Sequence, residues 1–152
     1  MLDYQKLIRF FDEYIAHYHE MLQFETEKLR LIAADDVEAL NHAISREQIF
    51  IMKTNALEHR RMEILSDSKG KTFKELIDEA PREFRAALEN RHTILSRVVF
   101  QIKNINSNAQ EIVSRRLEML ETVSSGMPTD TYTKDGMKNR AVQGSKTLNK
   151  DI

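Results

Sequence analysis

The amino-acid sequence predicts an all-α protein: an elongated antiparallel bundle of three long helices, with a short connecting helix and a flexible C-terminal tail. Three observations carry that reading. Apolar residues recur at alternating three- and four-residue steps through nearly all of the first 125 positions, the spacing of a helix seam. Only 4 Gly and 2 Pro occur in 152 residues, which suits long helices joined by few turns. The periodicity then stops abruptly at Gly126. The chain accordingly divides into a bundle domain, residues 1–125, and a tail, residues 126–152.

The first helix is expected from Leu2 to about Ala33. Tyr4, Ile8, Phe11, Ile15, Tyr18, Leu22, Leu29 and Ile32 form its seam, Leu7, Tyr14 and Met21 widen it, and Glu25 is its one polar defect. Asp35-Asp36-Val37-Glu38 then reads as a helix start, an Asp that can cap with a Glu three residues later to complete a capping box. A turn that short forces the second helix to run back antiparallel beside the first. This second helix, Asp36 to about Ser66, has a split stripe: Ala43/Ile44, Phe50/Ile51 and Ile64/Leu65 in pairs with Leu57 alone, and Glu47, Thr54 and Arg61 between them. A helix that touches two neighbours reads this way, as does one whose partner lies outside the chain.

Asp67-Ser68-Lys69-Gly70-Lys71 breaks the pattern, and Thr72-Phe73-Lys74-Glu75 offers a capping box for a short helix to about Glu79. The rest of the chain is organised on the stretch from Pro81 to Ser125. Its seam runs Phe84, Leu88, Arg91, Leu95, Val98, Ile102, Ile105, Ala109, Ile112, Arg116, Met119 and Val123, interrupted only by the two Arg. At ~1.5 Å per residue this helix is roughly 65 Å long. It outruns the second helix by about thirteen residues, or roughly 20 Å, and the seam stays apolar through the excess. Ile112, Leu117, Met119, Leu120 and Val123 are therefore expected to form a stripe with no cover inside the chain. Beyond it Met127, Tyr132, Met137, Val142, Leu148 and Ile152 are scattered through a tail with five basic and three acidic residues. That composition predicts disorder when the protein is alone.

Charge and chemistry exclude several function classes. A net charge of −1 removes the electrostatic attraction behind most nucleic-acid binding. The chain has no Cys, and hence no disulfide or thiol chemistry. Asp3, Lys6, Arg9, Asp12 and Glu13 interrupt any leader-like apolar run, and no stretch approaches the ~20 residues of a membrane span. A cytoplasmic protein without membrane insertion is expected. Glu89-x-x-His92 has a di-iron spacing but lacks the second pair and the two further Glu that such a site needs. His17 and His19 are two apart and so on different faces, and His42 and His59 lack i+3 or i+4 partners that would complete a ligand set, so no metal and no cofactor is predicted, nor any catalytic residue. The defects in the seams have a simpler use. Folding the first two helices about residue 34 brings Glu25 and Glu47 to one height, and Gln101, Lys103 and Asn104 reach that level. A structural polar layer of Glu25, Glu47, Gln101 and Asn104 that sets helix register is expected there.

Several stretches resemble a known family when taken in order. Met21-Leu22-Gln23-Phe24-Glu25-Thr26-Glu27-Lys28-Leu29 resembles the leucine-x-x-glutamate-x-x-x-leucine stretch of flagellar export chaperones of the FlgN type. Asp36-Val37-Glu38-Ala39-Leu40 is similar to that family's acidic second-helix start, and Asn104-Ile105-Asn106-Ser107-Asn108 before Ile112-Val113 loosely resembles its paired asparagines, at a different spacing. Thr131-Tyr132-Thr133-Lys134-Asp135-Gly136 resembles its tyrosine-x-x-x-glycine tail motif. The resemblance covers most of the chain. It implies an all-helical chaperone without catalytic activity, which binds the amphipathic C-terminal helical segments of hook–filament junction proteins and delivers them to the flagellar type III export gate. It also implies that clients meet the C-terminal part of the chaperone, which places Ile112, Leu117, Met119, Leu120, Val123, Met127, Tyr132 and Gly136 at the client-binding site and makes 126–152 a client-binding tail. The seams by themselves equally suit a coiled-coil adaptor or a homodimerisation module without a secreted client.

Overall fold

A computed structural model describes residues 2–124. Every element in it is helical: α1 Tyr4–Ala34, α2 Val37–Leu65, a 3-10 turn Ser66–Ser68, α3 Phe73–Glu79 and α4 Arg82–Val123. The ends follow from local chemistry. Asp3 caps α1 through the Lys6 amide, and Asp36 caps α2 through the Ala39 amide. Asp35, between them, takes the left-handed conformation at φ 58°, and the amides that follow α1 close onto Leu31 and Ile32. The Thr72–Glu75 capping box forms as the sequence predicts, while Lys69 and Gly70 turn the chain with positive φ. Pro81 sits just outside α4 as its N-cap.

The bundle runs up, down and up. Tyr4 stacks on Phe84 at 5.6 Å between ring centres, the Arg91 guanidinium donates to both Asp12 carboxylate oxygens, and Arg116 reaches the last carbonyls of α1. Those three contacts rise together along both helices, so α4 is parallel to α1 and α2 runs against the pair. The hub is α1, not the Pro81–Ser125 helix on which the sequence pattern places the organisation of the chain. It packs most extensively on α4 and next on α2. The reason is side-chain volume: α1 contributes Leu7, Phe10, Phe11, Tyr14, Tyr18, Met21 and Phe24 to the core, with the aromatic rings packed on one another and on Phe73 of α3. Burying each such side chain stabilises by roughly 1.5–3 kcal/mol, so the bundle is held chiefly at this end.

The split stripe of α2 also has its explanation. Only Ala43, Thr54 and Leu57 are buried, all toward the hub, and Val37, Ile49, Met52 and Met62 remain exposed. The excess length of α4 is redistributed. The segment 67–80 packs beside the start of α4, where Phe73 meets His92 and Arg85 donates to the Asp78 and Ala80 carbonyls. α4 is thereby slid along α1 until Arg116 lies level with the end of α1 at Ala34. The overhang is the seven residues 117–123, or about 10 Å, instead of the thirteen expected from helix lengths.

Candidate functional site

The free end of α4 gathers three exposed apolar side chains within five residues, whereas Val37, Ile49, Met52 and Met62 are spread along α2. Core burial along α4 ends with Ala109. Ile112, Val113 and Leu117 are half-buried, and past them Met119, Leu120 and Val123 are 68%, 63% and 85% exposed. Arg116 holds the base of this overhang. Its guanidinium donates to the Ile32 carbonyl, to the Ala33 carbonyl at 3.0 Å and to Asp35 Oδ1 at 3.3 Å. Carbonyls at a helix C-terminus lack partners within the helix and carry partial negative charge, so a cation supplied from α4 satisfies both needs. A seam position that reads as a defect in sequence is therefore a clamp between two helices. Just before the clamp, an open groove of about 450 Å³ lies between the last turns of α1 and α4. Leu29, Ala33 and Ile112 contribute its apolar lining, and Arg30, Arg115 and Glu111 its charges. Met127, Tyr132 and Gly136 lie outside the described residues.

The expected polar layer forms only in part. Glu25 is 4% exposed, and Lys28 Nζ stands 2.8 Å from its Oε2 and 2.7 Å from Glu47 Oε1. Glu25 Oε2 makes this ion pair without hydrogen-bond alignment. Gln101, Lys103 and Asn104 are exposed on α4 and take no part, a correction with a simple cause. The packing of α4 on α1 turns Val98, Val99, Ile102 and Ala109 inward, and Gln101, Lys103 and Asn104 therefore face away. The third member is Lys28, one turn from Glu25 and readable in sequence as an i,i+3 partner. Burial raises the Glu25 pKa against the pull of Lys28, with Glu47 adding to the rise. For Lys28 burial works the other way, but the two carboxylates outweigh it and hold the ammonium above its ordinary value.

A second buried polar pair ties α2 to α1. His17 Nε2 donates to Thr54 Oγ1 at 2.7 Å, because that hydroxyl already gives its proton to the Phe50 carbonyl at 2.8 Å. His17 Nδ1 has no partner, and burial, followed by the nearby Lys53, lowers the His17 pKa against Glu20. The ring is neutral and packed at an angle to Phe50. Nearby, burial first and then Tyr18 and Glu58 hold the Tyr14 phenol well above its ordinary range, so it stays protonated and donates to Glu58. None of these contacts is visible in the helical periodicity. The pairing of His17 with Thr54 needs the register of two helices, which no single seam carries.

Among the described residues, no group of three His, Asp or Glu could hold a metal ion, and no helix is long and apolar enough to cross a membrane. The class that these features define is an all-helical protein in which, among the described residues, one long helix runs past the others with an exposed apolar end. The family model described as FlgN protein matches residues 1–140. The chain belongs to the FlgN family, the flagellar export chaperones, and thus to the proteins of flagellum assembly. No curated protein and no solved structure matches the chain.

Proposed function

We propose that this protein is a cytoplasmic, non-catalytic export chaperone that binds the amphipathic C-terminal segments of hook–filament junction proteins and delivers them to the flagellar type III export gate. One observation carries the docking site: α4 continues past the clamp at Arg116 and exposes Met119, Leu120 and Val123 on a rigid helix. An amphipathic helix laid into a groove needs an apolar stripe of this kind, and a Met in it tolerates varied partners. A stripe held in helical form before binding also spares part of the ordering cost of association. The client surface is Ile112, Leu117, Met119, Leu120 and Val123, continued by Met127, Tyr132 and Gly136.

The test is a calorimetric titration of the full chain with the C-terminal segments of the junction proteins of the same cell, paired with light scattering. A 1:1 complex with added helicity supports the reading. A stable homodimer that binds none of these segments would replace it with a dimerisation module, and export of junction proteins unchanged in a cell lacking this chain would remove the delivery role.

A further inference from the structure

The geometry points to an occupant for the groove between the last turns of α1 and α4: an amphipathic helix whose apolar stripe is flanked by carboxylates. This rests on the docking role proposed for the α4 overhang and extends it backward onto α1. Ile112, in the groove, and Met119 and Val123, on the overhang, are separated by seven and four residues and so share one face of α4. Groove and overhang are consequently one track. From Ile112 to Val123 it measures about 16 Å, three turns of a client helix. Leu29 and Ala33 of α1 add a second apolar wall over the first part of that length.

The rim decides the chemistry of the occupant. Arg30 is exposed and makes no ion pair or hydrogen bond among the described residues. Arg115 faces it, joined to Glu111 at 2.5 Å. Inside the groove Glu111 already offsets Arg115, so the uncompensated charge there is Arg30, which favours an anionic flank and repels a cationic one, while Glu118 lies beyond the groove on the overhang. The chain's own residues 127–152, with five basic and three acidic side chains, carry the wrong sign for this rim. An acidic-flanked segment of another protein fits it.

Fluorescence anisotropy of the full chain with two synthetic helical peptides tests this. Both carry the same leucine stripe over three turns, one flanked by Glu and the other by Lys. The Glu-flanked peptide should bind at least about five-fold more tightly at low salt, and the preference should shrink as salt rises. Arg30→Glu should erase or invert the preference, and Arg30→Lys should keep it. Equal binding of the two peptides overturns the inference. So does an unchanged preference in Arg30→Glu, and if Met119→Glu with Val123→Glu still abolishes binding there, the overhang stands and only the groove falls. If binding survives both sets of substitutions, the docking reading itself falls with it. Self-association that excludes both peptides makes a second copy the occupant and overturns the proposal.

Discussion

Replacing Met119 and Val123 together by Glu should abolish client capture and leave the bundle intact. At 68% and 85% exposure neither side chain contributes appreciably to the core, and Glu forms helices at least as well as Val. The intramolecular cost is repulsion between two new carboxylates four residues apart, about 0.2–0.5 kcal/mol, together with that of a carboxylate at the negative C-terminal end of α4, about 0.3–1 kcal/mol. Binding is another matter. Covering the exposed part of the two side chains stabilises a complex by roughly 1–2 kcal/mol each, and a carboxylate forced into that contact adds desolvation. A loss of about 3 kcal/mol corresponds to more than a hundred-fold in Kd. The assay pairs thermal melting by circular dichroism with titration of a junction-protein C-terminal segment. Leu95→Ala serves as contrast: Leu95 is 1% exposed, and its truncation should cost about 2–5 kcal/mol of stability. If the double variant binds within about ten-fold of the parent, or loses more than about 2 kcal/mol of stability, the free end of α4 is not an independent docking surface.

Three further expectations concern the frame that presents that surface. Lys28→Met leaves the Glu25 and Glu47 carboxylates together without their cation and should cost about 3 kcal/mol at pH 7, partly recovered in acid as Glu25, already raised by burial, protonates; Glu25→Leu, which leaves Lys28 paired with Glu47, should change stability by less than about 1 kcal/mol. Urea titrations of both variants decide it, and equal losses would refute the role given to Lys28. The lowered His17 pKa means that its neutral form contributes stability above 6.5, which is lost as pH falls below 6.5 toward the folded value. Glu25, raised, acts in the opposite sense, favouring the fold below 4.5 and losing that contribution as pH rises through its folded value. Urea melts from pH 7 to 5 should therefore show an acid-side loss that disappears in His17→Gln, and a slope unchanged by that substitution would contradict the neutral buried ring. Arg116→Leu removes the donor to the Ala33 carbonyl and the second donor to the Ile32 carbonyl, which keeps the Asp35 amide, and should cost about 1–2 kcal/mol, with faster amide exchange confined to the last turn of α1 and the base of the overhang.

Helix positions and caps were legible in the sequence because they depend on local periodicity and on side chains that bond backbone three residues away. The Asp before α2 and the Thr72–Glu75 box are of that kind, although the box expected at Asp35–Glu38 does not form, because Asp35 closes α1 in the left-handed conformation and Asp36 caps α2 instead; the Asp3 cap went unread, since the seam placed the helix start at Leu2. The apolar character of the α4 end was legible for the same reason, since a seam is a property of one helix. Its extent was not. How far α4 overhangs depends on where the segment 67–80 packs and on the slide that sets Arg116 against Ile32 and Ala33, both of them contacts between distant parts of the chain. The polar layer failed on α4 for a related reason. Height counted from residue numbers shifts with the slide of α4, and rotation about a helix axis is settled by which residues the neighbour buries: with Arg116 level with Ala34, Glu25 stands level with the turn around Ser107, so Gln101 falls about 9 Å short of it, and Gln101 and Asn104 also face away. Sequence by itself determined which stretches are helices, where they stop and which faces want cover. Tertiary structure decided which of those faces receive it, because cover is supplied by side chains far away in the chain, whose placement depends on packing volume and not on spacing.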